Sequence, residues 1–291
     1  MKSTLYLSIF IPLLLLSEDI KSKTLLERLA QPKLIIDSSY LSEANIKGSE
    51  GNVEVYKNRI NINNAFVGFS YTNWAFEWDN IEDLPFGDGK SQPIKQMHGF
   101  NLNTRLPFPI NDKWFSLSSL SVKSTFEESP KDSLSFGFFS FASYKASKEH
   151  TFQMGAFGNF HSVSTLILPV ISYSYRARMR DGVQVILGFP RTYVSYYATP
   201  STLLRLGGIY SQSVIRLSDD SSIAAAGFIE AKDYMGNIGV TYYLDKQMEI
   251  RADLLYALKR DFITYDQGGS ELSNYSIEPS LGLALKLVWW L

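Results

Sequence analysis

Three histidines, His98, His150 and His161, are the imidazoles of a 291-residue chain that holds no cysteine, so acid–base or metal chemistry near neutral pH has to start from them. His161 is followed directly by Ser162, the pair of groups that a lipid-hydrolysing site would use. Neighbours on an extended strand point to opposite faces, so the imidazole cannot reach the hydroxyl unless the chain bends there. The expectation is a rim histidine and no catalytic residue. No two histidines have ligand spacing and thiolates are absent, so neither a metal site nor a cofactor is expected.

Three cations form a second candidate. Arg176, Arg178 and Arg180 share parity on the face opposite Tyr173 and Tyr175. On a strand lining a pore they would form an anion-attracting patch near one mouth, or they would pair with inward carboxylates such as Glu249 and Asp253. Both readings point them inward, because Arg on a lipid-facing position at mid-bilayer costs about 2–4 kcal/mol. A third cluster is "YTNWAFEW", Tyr71 to Trp78, which would either bind an apolar or sugar ligand or form part of an interfacial aromatic girdle. The stretch "EDLPFGDGKSQP" is too irregular for a calcium loop and reads as a solvated connection.

These residues sit on elements whose pattern is alternation. In "KQMEIRADLLYALK", Met248, Ile250, Ala252, Leu254, Tyr256 and Leu258 share one face while Glu249, Arg251 and Asp253 share the other. The same split runs through "YMGNIGVTYYL", "GFNLNTRL" and "FQMGAFGNF", and period-two patterning of this kind predicts half-buried β-strands. The last residues, "LGLALKLVWWL", place Leu281, Leu283, Leu285, Leu287, Trp289 and Leu291 on one face. That face belongs in a core or in lipid. "FSLSSLSV" changes phase between Leu117 and Leu120, which predicts a β-bulge.

Turn signals divide the chain into about fourteen candidate strands: 34–47, 51–63, 65–78, 94–106, 113–126, 133–146, 149–161, 165–180, 182–197, 201–217, 221–232, 234–245, 247–262 and 274–291. Without the first two the count is twelve. Most exceed the usual globular strand and match the roughly 9–11 residues that cross a bilayer at a tilt. Short turns at Asn63-Asn64, Pro107 to Asp112, Ser147-Lys148, Asp181-Gly182, Ser218 to Ser221 and Asp245-Lys246 alternate with longer connections at Asp79 to Pro93, "EESPKDS" and "YDQGGSELSN", as in barrels with short periplasmic turns and long outer loops.

Composition agrees. With 28 basic and 29 acidic residues the net charge is −1, giving no footprint for nucleic acid. Mean hydropathy is −0.07, too low for a helical membrane protein but normal for a barrel, in which every second residue avoids lipid. Aromatic residues make up 14% of the chain, a supply suited to strands and girdles. The opening "MKSTLYLSIFIPLLLLSEDIKSK" has the charge and apolar run of an export signal, assigned to residues 1–22. The expected fold is all-β: a single antiparallel, up-and-down transmembrane β-barrel of 12–14 strands spanning residues 34–291. Asn101, Arg105, Arg176, Arg178, Arg180, Asn237, Glu249, Arg251, Asp253 and Lys286 would line its lumen. Trp74, Trp78, Trp289 and Trp290 would lie at the membrane interface. A soluble β-sandwich is the rival, but it would expose more apolar surface than soluble proteins tolerate.

The stretch Leu166 to Tyr210, "LILPVISYSYRARMRDGVQVILGFPRTYVSYYATPSTLLRLGGIY", resembles the central part of a family of outer-membrane β-barrels that is known mainly as an uncharacterised group. The features that carry the resemblance are Leu168-Pro169, the "GFP" step before the Tyr-rich run Tyr193 to Tyr197, and "LRLGG". The resemblance implies location and fold, the outer membrane of a Gram-negative-type bacterium, and it maps no activity onto particular residues. The closing strand is similar to the C-terminal signal read by the barrel assembly machinery, with Leu291 in place of the usual Phe. Expected partners are therefore outer-membrane lipid and that machinery, with no nucleic acid and the oligomeric state open. The polar inward face points to a passive channel or transporter for small solutes. The alternatives are a closed structural or surface-binding barrel acting through its outer loops and, third, a lipid-modifying enzyme.

Overall fold

A computed structural model describes residues 31–178 and 180–291. The expected export signal lies outside the described residues. Fifteen strands follow in order: β1 (Lys33–Asn45), β2 (Asn52–Asn63), β3 (Val67–Asp79), β4 (Gln96–Pro109), β5 (Trp114–Phe126), β6 (Leu134–Lys145), β7 (His150–Phe160), β8 (Thr165–Arg178), β9 (Asp181–Gly188), β10 (Arg191–Thr199), β11 (Thr202–Arg216), β12 (Phe228–Tyr243), β13 (Met248–Tyr265), β14 (Glu271–Ile277) and β15 (Ser280–Trp290). Each strand from β1 to β14 pairs antiparallel with the next along the chain except that β14 does not pair with β15, and the sheet closes because β15 pairs with both β1 and β13 and β12 pairs with β13. β14 and β15 together form one stave: the first pairs with the far half of β13 and the second with its near half. Pro279, which has no N–H to give to a ladder, separates them. The barrel thus has fourteen staves.

Along most of the wall closure satisfies the ladder groups that lipid could not, and parity then sorts the side chains. On β15 the leucines face outward, with Leu285 61% exposed, while Lys286 points in beside Asp37 of β1. The same outward belt carries Ile60 and Ile62 on β2, Leu102 and Leu106 on β4, Met154 on β7, and Ile238 and Val240 on β12. It is the lipid-facing band of a transmembrane barrel.

The two ends differ. At one, connections of two to four residues join β2 to β3, β4 to β5, β6 to β7, β8 to β9, β10 to β11 and β12 to β13. At the other, residues 80–95 and 217–227 form long loops. The inward faces of β1–β4 and of β11–β14 meet at this end in one apolar core of Ile46, Val53, Phe76, Trp78, Met97, Ile215, Ile229, Phe262 and Ile277. Leu84 and Phe86 from the long loop after β3 pack onto it, and the Tyr275 hydroxyl donates to the Pro85 carbonyl at 3.2 Å. This apolar core fills part of the lumen at the long-loop end.

Several boundaries differ from the sequence reading. Residues 182–197 are two strands, turned at Phe189-Pro190, and 221–232 with 234–245 are one, β12. The two differences cancel, so the count of fourteen survives. Ser218 to Ser221 belongs to the long-loop end, where the Ser218 N–H donates to Glu127 Oε2 at 2.9 Å. The predicted bulge in β5 is absent: its ladders with β4 and β6 run without a shift, Leu117 pointing in and Leu120 out. The phase change is a serine-rich strand with an apolar residue on each face.

Candidate functional site

The inward face of the barrel carries two carboxylates tied to cations on their own and nearby strands. Asp37 takes Arg59 at 3.2 Å and Lys286 at 3.0 Å. Asp253 takes Arg205 at 3.0 Å and Arg251 at 2.6 Å, and it accepts a further bond from Asn237 Nδ2 at 2.9 Å. Strand register explains this: Asp37 stands between Lys286 and Arg59 on adjacent staves, and Asp253 stands opposite Gly239. The missing side chain at Gly239 leaves room for the carboxylate; a Cβ there would lie 2.0 Å from Asp253 Oδ1.

A cavity of about 590 Å³ extends from these networks, within the roughly 300–1,000 Å³ range of small-molecule sites. The charged side chains that line it are seven cations, Lys57, Arg59, Lys123, Arg191, Arg251, Arg260 and Lys286, and three carboxylates, Asp37, Asp233 and Asp253. Among the described residues Lys57, Lys123, Arg191 and Arg260 make no ion pair. Asp233, directly opposite Arg260 in the β12–β13 register, also makes none. Arg260 is 3% exposed and its Nη1 has no hydrogen-bond partner. Lys57 lies over the Trp74 ring at 5.1 Å from its centroid. A chain of net charge −1 thus encloses an electropositive chamber, because its inward positions take the cations while many of its acids sit in loops and on outward faces.

Of the residues expected in the lumen, Asn237, Arg251, Asp253 and Lys286 line this cavity. Asn101 and Arg105 share the inward face of β4, with Leu102 and Leu106 on its lipid side. Glu249 is inward on β13, next to the Arg251 and Asp253 positions. Arg176 has inward parity near the short-turn end, and the Arg178 backbone closes β8 opposite Asp181. Arg180 is not part of that row. It occupies the turn with φ 56, and its guanidinium lies 4.3 Å from the centroid of the Tyr243 ring.

The expected girdle is corrected. Trp289 faces lipid, but Trp290 has the inward parity of Lys286, Trp74 lines the cavity, and Trp78 is 3% exposed, with its indole N–H donating to Ile94 O at 2.7 Å. Near the long-loop end the inward face is itself apolar, so aromatic parity alone did not mark lipid. Lys57, Arg59, Arg205 and Arg260 were missed, although their alternation with outward residues such as Ile60 and Leu206 is readable in the sequence.

His161 and Ser162 occupy the connection between β7 and β8, with Ser162 Oγ and His161 Nδ1 3.4 Å apart. Nδ1 already accepts the Val163 N–H at 3.3 Å, and the buried Nε2 has no partner. Among the described residues no carboxylate hydrogen-bonds the ring, so the pair has no third group of a nucleophile–base–acid relay there. Burial pushes the His161 imidazole below its ordinary value.

No family model and no curated protein matches the chain. Among solved structures it is similar to the KdgM porin (8% identity, TM-score 0.39, 88% of this chain and 98% of that one). It is also similar to the NanC porin (11%, 0.40, 89% and 100%) and to the P. putida toluene transporter TodX (8%, 0.41, 90% and 90%). Likeness at this level carries no argument about activity. The protein's own strand pairing and outward apolar band establish its class: a closed, fourteen-stave antiparallel β-barrel of the transmembrane kind, with a basic chamber inside.

Proposed function

We propose that the protein is an outer-membrane channel that passively conducts small anionic solutes. The observation that carries this reading is the charge inside the cavity: four cations without a carboxylate partner face one unpaired carboxylate, Asp233. A ring of fixed charge in a narrow, low-dielectric passage favours counter-ions. The short turns then face the periplasm and the loops at residues 80–95 and 217–227 face outward, as in bacterial barrels.

The test is reconstitution into planar bilayers under a salt gradient, after heat-modifiable gel mobility has verified folding. The expected result is stepwise conductance with a reversal potential on the anion-selective side, shifted toward zero in Lys57→Gln and Lys123→Gln. A folded barrel that stays silent overturns the reading. The apolar core at the long-loop end favours the second reading, a closed barrel whose outer loops bind a partner, and silence would support that alternative.

A further inference from the structure

The barrel wall has a seam. β7 and β8 pair along their full lengths, from Phe160↔Thr165 to His150↔Tyr175, but β9 reaches β8 only as far as Gly188↔Ser172. On the other side β11 pairs with β12 up to Arg216↔Phe228, whereas β10 stops at Arg191↔Ile209. The β9–β10 hairpin is thus a half-height stave pair. Above its turn at Phe189-Pro190, residues 165–171 of β8 and 210–216 of β11 run on for about 20 Å with no strand laddered between them; at the rim the end of β11 meets β5 instead, through the parallel bridge Arg216↔Phe126.

The edges overlap instead of pairing. Val163, in the connection after β7, packs on Val214, Phe228, Ile263 and Tyr265, which have outward parity on β11–β13. Ser164 donates to Glu230 Oε1 at 3.0 Å, and Glu230, 1% exposed, also takes the Tyr265 hydroxyl at 2.8 Å and the Gln212 amide. The tip of the β7–β8 hairpin therefore covers the outward faces of β11–β13.

The cavity enters this overlap. Five consecutive residues of β11, Ile209 to Ser213, line it. Successive strand residues point to opposite faces, so a cavity that touches all five is consistent with one that runs along the free edge of the strand. Its other wall there is apolar: Leu166, Leu168 and Val170 of β8 with Phe189. The Phe189 and Tyr210 rings lie 5.5 Å apart, and Tyr210 lies 4.8 Å from Tyr234, which is exposed on the lipid side. An aromatic line thus joins the chamber to the outer belt, while an apolar core occupies the lumen toward the long-loop end.

We propose that this seam is a lateral portal between the lumen and the bilayer, and that its ligand is an anionic amphiphile. The head, a carboxylate, phosphate or sulfate, pairs with Arg191, Lys57, Lys123 and Arg260 in the chamber. A single apolar chain lies in the groove of Leu166, Leu168, Val170, Phe189 and Tyr210. Unpaired strand edges are tolerated at membrane depth only where they are buried in protein or line a cavity, and the overlap provides both. The inference deepens the anion-channel reading and rests on it for the sign of the head group.

The test is photolabelling in phosphatidylcholine vesicles with a ten-carbon carboxylate bearing a diazirine at its tail, read by peptide mass spectrometry. Label concentrated on residues 166–170, 189 and 210 and competed by decanoate is the expected result. Leu168→Trp should lower seam label at least tenfold with belt label unchanged; Leu168→Ser, a milder change, should lower it severalfold. Label confined to the outward belt in the parent protein overturns the portal. Chloride conductance on the same preparation separates the two readings: conductance with belt-only label removes the portal and leaves the channel, whereas seam label in a silent barrel removes the channel and leaves the binding site. Repeating the labelling with phosphatidylglycerol vesicles identifies the source. Loss of seam label marks a membrane lipid as occupant, its persistence marks a free amphiphile, and either outcome supports the site.

Discussion

The hydroxyl of Ser164 donates to the carboxylate of Glu230 at 3.0 Å across 66 residues of sequence, tying the tip of the β7–β8 hairpin to a strand that is not its ladder neighbour. Lys232 Nζ lies 3.3 Å from the same carboxylate, and Tyr265 and Gln212 donate to it. Glu230→Ala would leave these buried groups without their acceptor and should destabilise the barrel by about 3–5 kcal/mol, the range for removing one partner of a buried charged network. Ser164→Ala should cost only about 1 kcal/mol. Urea unfolding in lipid, with hydrogen exchange of residues 161–170, checks both. Equal costs for the two variants would show that Glu230 is not the hub.

The parity of β15 predicts a sharp asymmetry between neighbouring positions. Leu285 faces lipid and Lys286 faces Asp37. Leu285→Arg should lower the stability of the folded barrel by about 2–4 kcal/mol, measured by reversible folding into vesicles. A neutral effect would mean that this face is covered by protein, for example by a second copy.

Asp253 neutralises part of the chamber. Asp253→Asn keeps the shape but releases Arg205 and Arg251 from their shared partner. Anion over cation selectivity should rise severalfold in the conductance assay, opposite in direction to Lys57→Gln. An unchanged reversal potential would place this network away from the ion path.

His161 gives the overlap a pH dependence. Burial lowers its value from the ordinary 6.5, so the exposed, opened form binds a proton more readily than the packed form. The packing of this loop is fully present above about 6.5 and weakens as pH falls below it toward the depressed folded value. The contacts explain the sign: Nδ1 accepts the Val163 N–H, and the ring packs edge-on against Phe228 at 5.2 Å, so a second ring proton would cost that bond. The hydrogen-exchange protection of residues 161–165, taken relative to the intrinsic amide rate at each pH, should fall between pH 6.5 and 5 in the parent protein and not in His161→Phe. Identical pH profiles would remove His161 as the cause.

By itself the sequence determined what period two can encode. The apolar and charged faces of "KQMEIRADLLYALK" and the leucine face ending at Leu291 were assigned correctly to outside and inside, because a strand has two faces and a mid-bilayer strand is strongly selected on each. Asn101, Arg105, Arg251 and Lys286 take inward parity by the same rule. Tertiary structure decided what lies outside that rule. Trp74 and Trp78 point inward because the lumen itself turns apolar at the long-loop end, so hydrophobicity no longer distinguishes lipid from core. The break of β9 from β10 and the continuity of β12 depend on which edges overlap at the seam, where both faces of β11 are covered and alternation loses its contrast. Which cations stay outside an ion pair is likewise a matter of register between staves: Arg205 meets Asp253 from 48 residues away, while among the described residues Arg260, Lys57, Lys123 and Arg191 make no ion pair, although Arg260 stands opposite Asp233.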